Sequence, residues 1–510
     1  MSVTQGAQIN AFTNGRGNAG SVTISADGAV KFDGVGSSDG FPTGSFSTVE
    51  AGAIGDGGTI NINAGSLSLT NGGLLGVFVR AADSDDGLAG GQGNGGNVNI
   101  NVDDTLTISG KNGSVESGIF SSLGSGAIGV GGNINIKAGS FVLTNDAELS
   151  ASTSGKGNAG NIDIQVDSDV QITGDDTRIV SNVRRTGEGN GGTISINANS
   201  VAVTEGAQVN TSVENRNNGT NKAGDLTINA RFIDLSNQGR LTATTESGDG
   251  GNIILNVKDV LLLRNNSSIS ATAGITGSGG NGGNITINAP RGFIVTIPNQ
   301  NSDITANAFN GQGGNINIKV AGTFGIAPLS RQELESLRPD DLDPGQLITN
   351  DITAISRENP SLSGRVSINN PDIDPSQGLV NLPTVLTDTS VLIDRGCATA
   401  NSEGSEFIVT GRGGLPPHPY EFISNDVVWS DNRITTLPSS NEEVRKFGDS
   451  RNAVVSLQKP VTPSIPKTYD GVPIIPATGW VFNGKGEVTL ISHTSGAADM
   501  GSTAASCSQR

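Results

Sequence analysis

Apolar and polar residues alternate with a period of two in a short phrase that recurs ten times between residues 17 and 318. One copy, "GNGGNITI", occupies residues 280–287. The sixth and eighth positions are Val, Ile or Leu in all ten copies, although only 34% of the chain is hydrophobic. Such alternation predicts a strand with one buried face. The copies begin at residues 17, 55, 93, 129, 157, 189, 221, 248, 280 and 311.

Two shorter apolar pairs follow each phrase. The first is of the type Leu67 and Leu69, and the second, after a turn, places a small residue at its second site, as in Leu149 and Ala151. No segment of the repeats shows the 3.6-residue apolar period of an amphipathic helix. Each repeat of 27 to 38 residues is therefore predicted to contain three short strands.

Repeats without helices must align in parallel if equivalent positions are to stack, and a parallel β-helix satisfies this condition. We therefore predict an all-β parallel β-helix of about 11 coils, with neighbouring coils about 4.8 Å apart. Equivalent apolar residues then form buried columns. One predicted column consists of Ile60, Val98, Ile134, Ile162, Ile194, Leu226, Ile253, Ile285 and Ile316.

The fourth position of the phrase is Gly in all ten copies. A tight corner before each strand needs positive φ or close backbone approach, and Gly allows both at low cost. In six copies Asn follows this Gly, as at Asn97 and Asn284, and stacked Asn side chains can form a hydrogen-bonded ladder. The predicted structural glycines are Gly20, Gly58, Gly96, Gly132, Gly160, Gly192, Gly224, Gly251, Gly283 and Gly314.

The repeat pattern stops after Ile326 and returns once, weakly, in "SLSGRVSI" at residues 361–368. From about residue 381 aromatic residues and prolines become frequent, as expected of a cap over the open end of a solenoid. The predicted organisation is β-helix repeats over 1–326, an inserted loop with one short helix over 327–360, a last coil over 361–380, an irregular C-terminal cap over 381–430 and a partly ordered tail over 431–510.

Composition limits the possible partners and cofactors. The net charge of −18 and the scatter of only 31 Lys and Arg through 510 residues disfavour nucleic acid and anionic lipid. No apolar stretch is long enough to insert into a membrane, and the first 30 residues have no pattern of a signal peptide. No Cys or His cluster has metal-ligand spacing, so no metal or cofactor is predicted.

Four C-terminal phrases together carry a resemblance to a known family. They are "VSINNPDIDPSQGLVNLP" (366–383), "FIVTGRGGLPPHPYE" (407–421), "VVW" (427–429) and "GWVFNGKGEVTLI" (479–491). In this order they resemble the ending of large filamentous haemagglutinin-like exoproteins, particularly the cyanobacterial kind. With the repeats, the resemblance covers nearly the whole chain.

The resemblance implies a secreted, adhesin-like protein with a long right-handed β-helix. Such proteins pass through a dedicated outer-membrane translocase by two-partner secretion, and the expected location is extracellular or on the outer cell surface. The sequence departs from the full pattern because it opens in mid-coil with "SVTQGAQINAF" and shows no amino-terminal secretion domain. It is interpreted as the C-terminal piece of a longer protein or as the product of a truncated gene, and the expected partner is surface polysaccharide or the surface of a host or neighbouring cell.

The two cysteines, Cys397 and Cys507, form a candidate disulfide. An even pair in an exported protein usually bonds, although two free thiols remain the alternative. Closing a loop of about 110 residues stabilises a fold by roughly 4 to 5 kcal/mol in the chain-entropy model.

A polysaccharide-degrading lyase or glycoside hydrolase is the main alternative function, because parallel β-helices also support such enzymes. This chemistry needs paired carboxylates that face one groove. The acidic pairs lie in predicted turns or in the inserted loop, and the two histidines, His418 and His493, lie outside the repeats. The pairs are Asp103 with Asp104, Asp175 with Asp176, and Asp340 with Asp341.

Two further readings of the glycine-rich phrases have less support. A calcium-binding nonapeptide roll needs Asp where Asn284 stands and a nine-residue period, which is absent. "GRGG" at 411–414 has no strand-to-helix context for a phosphate site, so a cap turn is the simpler interpretation. The sequence therefore predicts a non-enzymatic structural or adhesive segment that uses many weak contacts along a rod.

Overall fold

The computed structural model describes residues 1–369 except 39, 217–219 and 276, and four short strand pieces between residues 468 and 491. Contacts divide the chain into two compact units, Met1–Leu392 and Ile393–Arg510. The first unit is a parallel β-solenoid, as the sequence predicted. In the second unit Thr468–Tyr469 pairs with Val472–Pro473, and Gly479–Phe482 pairs with Val488–Ile491, both antiparallel.

Each complete coil of the solenoid contains the three predicted strands, and every strand pairs in parallel with its equivalents in the coils before and after it. In six coils the first and second strands run together as one long strand: Val22–Asp33, Ile60–Thr70, Leu226–Ser236, Ile253–Arg264, Ile285–Thr296 and Ile316–Phe324. The separate first strands are Val98–Val102, Ile134–Ala138, Ile162–Val166, Ile194–Asn197 and Val366–Asn369. The separate second strands are Ser2–Thr4, Thr105–Ser109, Ser140–Thr144, Asp169–Thr173 and Ser200–Thr204.

The third strands form a second sheet on another side of the coil. They are Gln8–Thr13, Gly44–Val49, Leu74–Val79, Gly118–Leu123, Glu148–Ser150, Arg178–Val180, Gln208–Asn210, Arg240–Thr242, Ser268–Ser270, Asp303–Thr305 and Asp351–Thr353. A hairpin of Lys111–Asn112 with Val115–Glu116 projects between a second and a third strand. The first two strands of the chain, Ser2–Thr4 and Gln8–Thr13, pair as a second and a third strand, as the mid-coil opening predicted.

The predicted aliphatic column is confirmed by the strand register. Its members are direct partners from coil to coil, and Val22 and Val366 extend it at its two ends. Eleven first strands separated by ten steps give a solenoid of about ten turns in the described part of the chain. All nine predicted members are at most 1% exposed. Removing such a side chain from water contributes about 1.5 to 3 kcal/mol.

The fourth-position glycines act through close approach and not through positive φ. A Cβ on Gly96 would lie well under 3.0 Å from the carbonyl oxygen of Gly58, its equivalent one coil earlier. The same conflict recurs along the whole column, from Gly58 to Gly364. Positive φ occurs instead at the first position of the phrase, for example at Gly280 (φ 136°). The glycine column therefore lets successive corners stack at the spacing of the strands.

The predicted asparagine ladder is present, and most of its hydrogen bonds connect a side chain to the backbone of the next coil. Oδ1 of Asn97 accepts from the backbone N–H of Asn133 at 2.8 Å, and Oδ1 of Asn133 accepts from the N–H of Asn161 at 2.9 Å. Oδ1 of Asn284 accepts from the N–H of Asn315 at 2.9 Å. These side chains satisfy donors that no strand partner reaches at the corner.

The segment 327–360 was predicted as an inserted loop with one short helix. The helix is Arg331–Leu337, and a capping box between Ser330 and Glu333 fixes its start. Two 3₁₀ turns, Pro344–Gln346 and Pro360–Leu362, follow. The segment also contains a strand that the sequence pattern did not predict, because Asp351–Thr353 continues the third-strand sheet and Ala327–Pro328 pairs with it.

Candidate functional site

A long polar groove follows the outer face of the first strands, at the bend where each turns toward the second strand. Its two parts have volumes of about 1190 Å³ and 330 Å³ and share Lys137 and Gln165, so they form one groove along the stacking direction. We call it the asparagine groove. Its amide side chains are Asn61, Asn63, Asn99, Asn101, Asn135, Gln165, Asn197, Asn199, Asn229, Asn256 and Asn288.

Equivalent amides in the asparagine groove hydrogen-bond to one another from coil to coil. Nδ2 of Asn229 donates to Oδ1 of Asn197 at 2.7 Å, and Nδ2 of Asn256 donates to Oδ1 of Asn229 at 2.7 Å. The same arrangement joins Asn99 to Asn61 at 2.9 Å. An amide offers two donor hydrogens and two acceptor lone pairs, so each retains hydrogen-bonding capacity beyond the ladder. The groove floor thus carries two rows of hydrogen-bonded amides at the coil spacing of about 4.8 Å, Asn61–Asn99–Asn135 and Asn197–Asn229–Asn256–Asn288.

The rim of the larger part carries more positive than negative charge. Four cations and two carboxylates line it, which gives a local balance of 4 − 2 = +2 in a chain whose net charge is −18. Arg231 and Asp259 form an ion pair at 2.6 Å. Within the described residues, Lys137, Lys258 and Arg291 have no ion-pair partner. These exposed cations are free to meet an anionic ligand.

A separate charged cluster lies on the outer face of the third strands and consists of Glu116, Glu148, Arg178 and Arg184. Arg178 donates to Oε2 of Glu148 through Nε at 2.9 Å and Nη2 at 2.6 Å, while Arg184 donates to Oε1 at 3.0 Å. Arg178 also reaches Glu116 at 3.4 Å. The Glu148 side chain is only 2% exposed. Its charge is therefore held by two guanidinium groups in a mostly dehydrated position.

The two carboxyls of the cluster differ in pKa. Burial raises the pKa of Glu116 to about 7, and its hydrogen bond to Glu148 adds to this effect. Burial also opposes ionisation of Glu148, but Arg178 and Arg184 outweigh it and hold the pKa of Glu148 below its ordinary value.

A second buried carboxyl pair lies in the same column of the third-strand sheet. Oδ1 of Asp303 accepts from the backbone N–H of Asp351 at 2.8 Å. Burial, with a smaller contribution from the nearby charge of Asp351, raises the pKa of Asp303 to about 7. This pair joins the last third strand to its neighbour.

The sequence analysis missed the charged cluster, although a signal for it exists. When the third segments are aligned on their inward residues Ile119, Leu149 and Ile179, the preceding positions are Gly118, Glu148 and Arg178. Opposite charges thus occupy equivalent positions of consecutive coils. The predicted acidic pairs are adjacent in sequence, whereas stacking brings together residues about thirty positions apart.

The predicted acidic pairs all lie in turns, as expected. Asp103 and Asp104 follow a first strand, and Asp175 and Asp176 follow a second strand. Asp341 lies after the helix and pairs with Arg338. The described residues contain no group of three or more His, Cys, Asp or Glu side chains that could hold a metal ion. Cys397, Cys507, His418 and His493 lie outside the described residues.

No helix in the described part of the chain is long and apolar enough to span a bilayer. Comparison with known proteins found no matching family model, no matching curated sequence and no matching solved structure. The fold itself therefore defines the class of this protein, a parallel β-solenoid built from glycine-cornered coils.

Proposed function

We propose that the chain is a structural and adhesive segment of a secreted, filamentous haemagglutinin-like exoprotein, and that the asparagine groove binds an acidic polysaccharide. The observation that carries the proposal is the two rows of hydrogen-bonded amides together with the unpaired cations Lys137, Lys258 and Arg291 in the same groove. Amides can exchange hydrogen bonds with sugar hydroxyls, and the cations can meet carboxylate or sulfate groups.

The repeating geometry supports a polymeric ligand. The coil spacing of about 4.8 Å is comparable with the length of one pyranose residue, so an extended glycan can present equivalent groups to successive coils. Each contact is weak because the groove is open to water, and many contacts in register raise the total affinity. The resemblance in the C-terminal phrases adds the expectation of export and a cell-surface location.

Removal of groove cations tests this proposal. We expect Lys258→Gln with Arg291→Gln to weaken binding to polygalacturonate or alginate by about tenfold, which corresponds to about 1.4 kcal/mol. Arg185→Gln with Arg240→Gln is the matched control, because it removes two exposed cations that lie outside the groove and, like Lys258 and Arg291, form no ion pair within the described residues. Affinity is measured by isothermal titration at low and high salt, and salt should weaken it.

Equal loss of affinity in the two double variants would reject the groove as the binding site. The same samples separate adhesion from the enzymatic alternative, since they can be analysed for products after long incubation. Saturable binding without new reducing ends or unsaturated sugars supports adhesion, whereas accumulation of either product supports a lyase or hydrolase.

A further inference from the structure

An exposed apolar ridge runs beside the asparagine groove, on its second-strand side. Phe232, Val260 and Phe293 are register partners in three consecutive coils. Phe324 packs against Phe293, with the ring centroids 5.8 Å apart. Phe232 is 41% exposed, Phe293 39% and Phe324 56%, so burial in the core does not account for these aromatic residues. We call the four residues the phenylalanine ridge.

The phenylalanine ridge and the asparagine groove belong to the same bends of the chain. In each of three coils, a charged residue that lines the groove is followed within two positions by a member of the ridge. The pairs are Arg231 with Phe232, Asp259 with Val260, and Arg291 with Phe293. The guanidinium of Arg231 lies over the ring of Phe232, 5.3 Å from its centroid. Both surfaces follow the stacking direction, so a polymer that lies in the groove has the ridge along one side.

A pyranose ring has apolar faces as well as polar edges. Its hydroxyl and carboxylate groups project from the rim of the ring, whereas its C–H groups form patches on the faces. The face of a phenyl ring carries partial negative charge, so it attracts such C–H groups while the contact removes apolar surface from water. Phe232 and Phe293 are two coils apart, about 9.6 Å, which is close to the length of two pyranose residues. The ridge can therefore contact the sugar rings of a chain whose polar edges meet the amides and cations of the groove.

We infer that the phenylalanine ridge makes the asparagine groove selective for uronic-acid polysaccharides over polyanions that have no apolar ring face. The inference rests on the proposed function, because it assigns the specificity of the same groove. The cations of the groove attract any polyanion, since charge attraction does not require a particular ligand shape. The ridge adds to the affinity only where C–H groups reach it. Selectivity is then the difference in affinity between two polymers that are both negatively charged.

Binding of polygalacturonate and of inorganic polyphosphate to the full chain tests this inference. Both polymers are polyanions, but polyphosphate has no C–H group. We expect Phe232→Ala with Phe293→Ala to weaken polygalacturonate binding about tenfold and to change polyphosphate binding by less than about twofold. Lys258→Gln with Arg291→Gln should weaken the binding of both polymers, because both carry negative charge. Affinities are measured by isothermal titration at low salt.

Further variants separate the loss of an aromatic face from a change in folding. Phe232→Tyr with Phe293→Tyr keeps both rings and should keep the affinity for polygalacturonate. Phe12→Ala removes an exposed phenyl ring from the outer face of the first third strand and should leave the binding of both polymers unchanged. Circular dichroism checks the fold of every variant. If the double Ala variant does not fold, Phe232→Ala alone should weaken polygalacturonate binding about threefold.

Unchanged polygalacturonate affinity in the folded Ala variants would overturn the inference, as would an equal loss of affinity for the two polymers. Loss of polygalacturonate binding in the double Tyr variant would overturn it too. In each of these cases the proposed function still stands if Lys258→Gln with Arg291→Gln weakens polygalacturonate binding. Absence of polygalacturonate binding by the unaltered protein would instead reject the groove as a site for this acidic polysaccharide, and the inference with it.

Discussion

Gly192→Ala should destabilise the solenoid by about 3 kcal/mol, because the added methyl group has no space. A Cβ at this position would lie well under 3.0 Å from the carbonyl oxygen of Gly160 in the preceding coil, and it would also meet Oγ of Ser181. The neighbour is backbone held by parallel strand pairing on both sides, so it cannot yield as a flexible side chain would. The change is measured as the midpoint and slope of urea unfolding followed by circular dichroism.

Gly28→Ala is the matched control for Gly192→Ala. A Cβ at Gly28 would have no atom within 4 Å, and the residue does not have positive φ. Both substitutions reduce the conformational entropy of the unfolded chain equally, so the difference between them reports the native-state clash. Stabilities within about 1 kcal/mol of each other would contradict the close stacking of the glycine column.

Arg178→Met should cost about 3 kcal/mol near neutral pH, because it leaves the buried carboxylate of Glu148 with Arg184 as its one remaining cationic partner. The exposed ion pair between Arg231 and Asp259 has the same N–O distance of 2.6 Å, with side chains 52% and 37% exposed. Arg231→Met should therefore cost less than about 1 kcal/mol. Equal losses in the two variants would show that burial of Glu148 does not matter.

The cost of Arg178→Met should depend on pH. In the native protein the pKa of Glu148 lies below its ordinary value. The ionised carboxylate therefore stabilises the fold fully at pH values above the ordinary pKa, and this stabilisation is lost as the pH falls through the native pKa. Protonated Glu148 carries no charge for Arg178 to balance. The loss of stability caused by Arg178→Met should therefore become smaller as the pH is lowered. Adding Glu148→Gln to Arg178→Met should recover part of the loss at neutral pH. A pH-independent deficit would reject the charge explanation.

The fold was predictable because its constraints repeat in the sequence. Inward positions, such as Ile196 and Ile228, must be apolar because they are buried, and the corner positions must be glycine because the coils approach closely there. The same residue types therefore return in each coil. The role of those glycines was predicted only as one of two options, since sequence does not distinguish positive φ from close approach. The third strand at Asp351–Thr353 escaped prediction because a helix and a 3₁₀ turn separate it from the preceding strands of its coil.

The candidate sites were harder to predict because they use outward positions, which burial does not constrain. Lys258 and Arg291 line the same groove because they lie at the bends of consecutive coils. Glu148 lies beside Arg178 because the two residues are register partners in neighbouring third strands. Repeat lengths vary from 27 to 38 residues, so these neighbours share no fixed spacing in the sequence. Only an alignment of coils on their inward residues would bring them together.

Disulfide trapping of register partners tests the stacked arrangement most directly. Ser195 and Thr227 are paired outward residues of consecutive first strands. Adjacent parallel strands lie about 4.8 Å apart, within the Cα separation of about 4.4 to 6.8 Å that a disulfide requires. In a background with Cys397→Ser and Cys507→Ser, the pair Ser195→Cys with Thr227→Cys should therefore oxidise to an intramolecular bond.

The offset pair Ser195→Cys with Asn229→Cys is the control, because a shift of two residues adds about 6.6 Å along the strand and places the sulfurs out of reach. Peptide mapping under non-reducing conditions identifies the bond in each variant. We expect a linked peptide for the register pair and none for the offset pair. A bond in the offset pair, or none in the register pair, would contradict parallel in-register stacking.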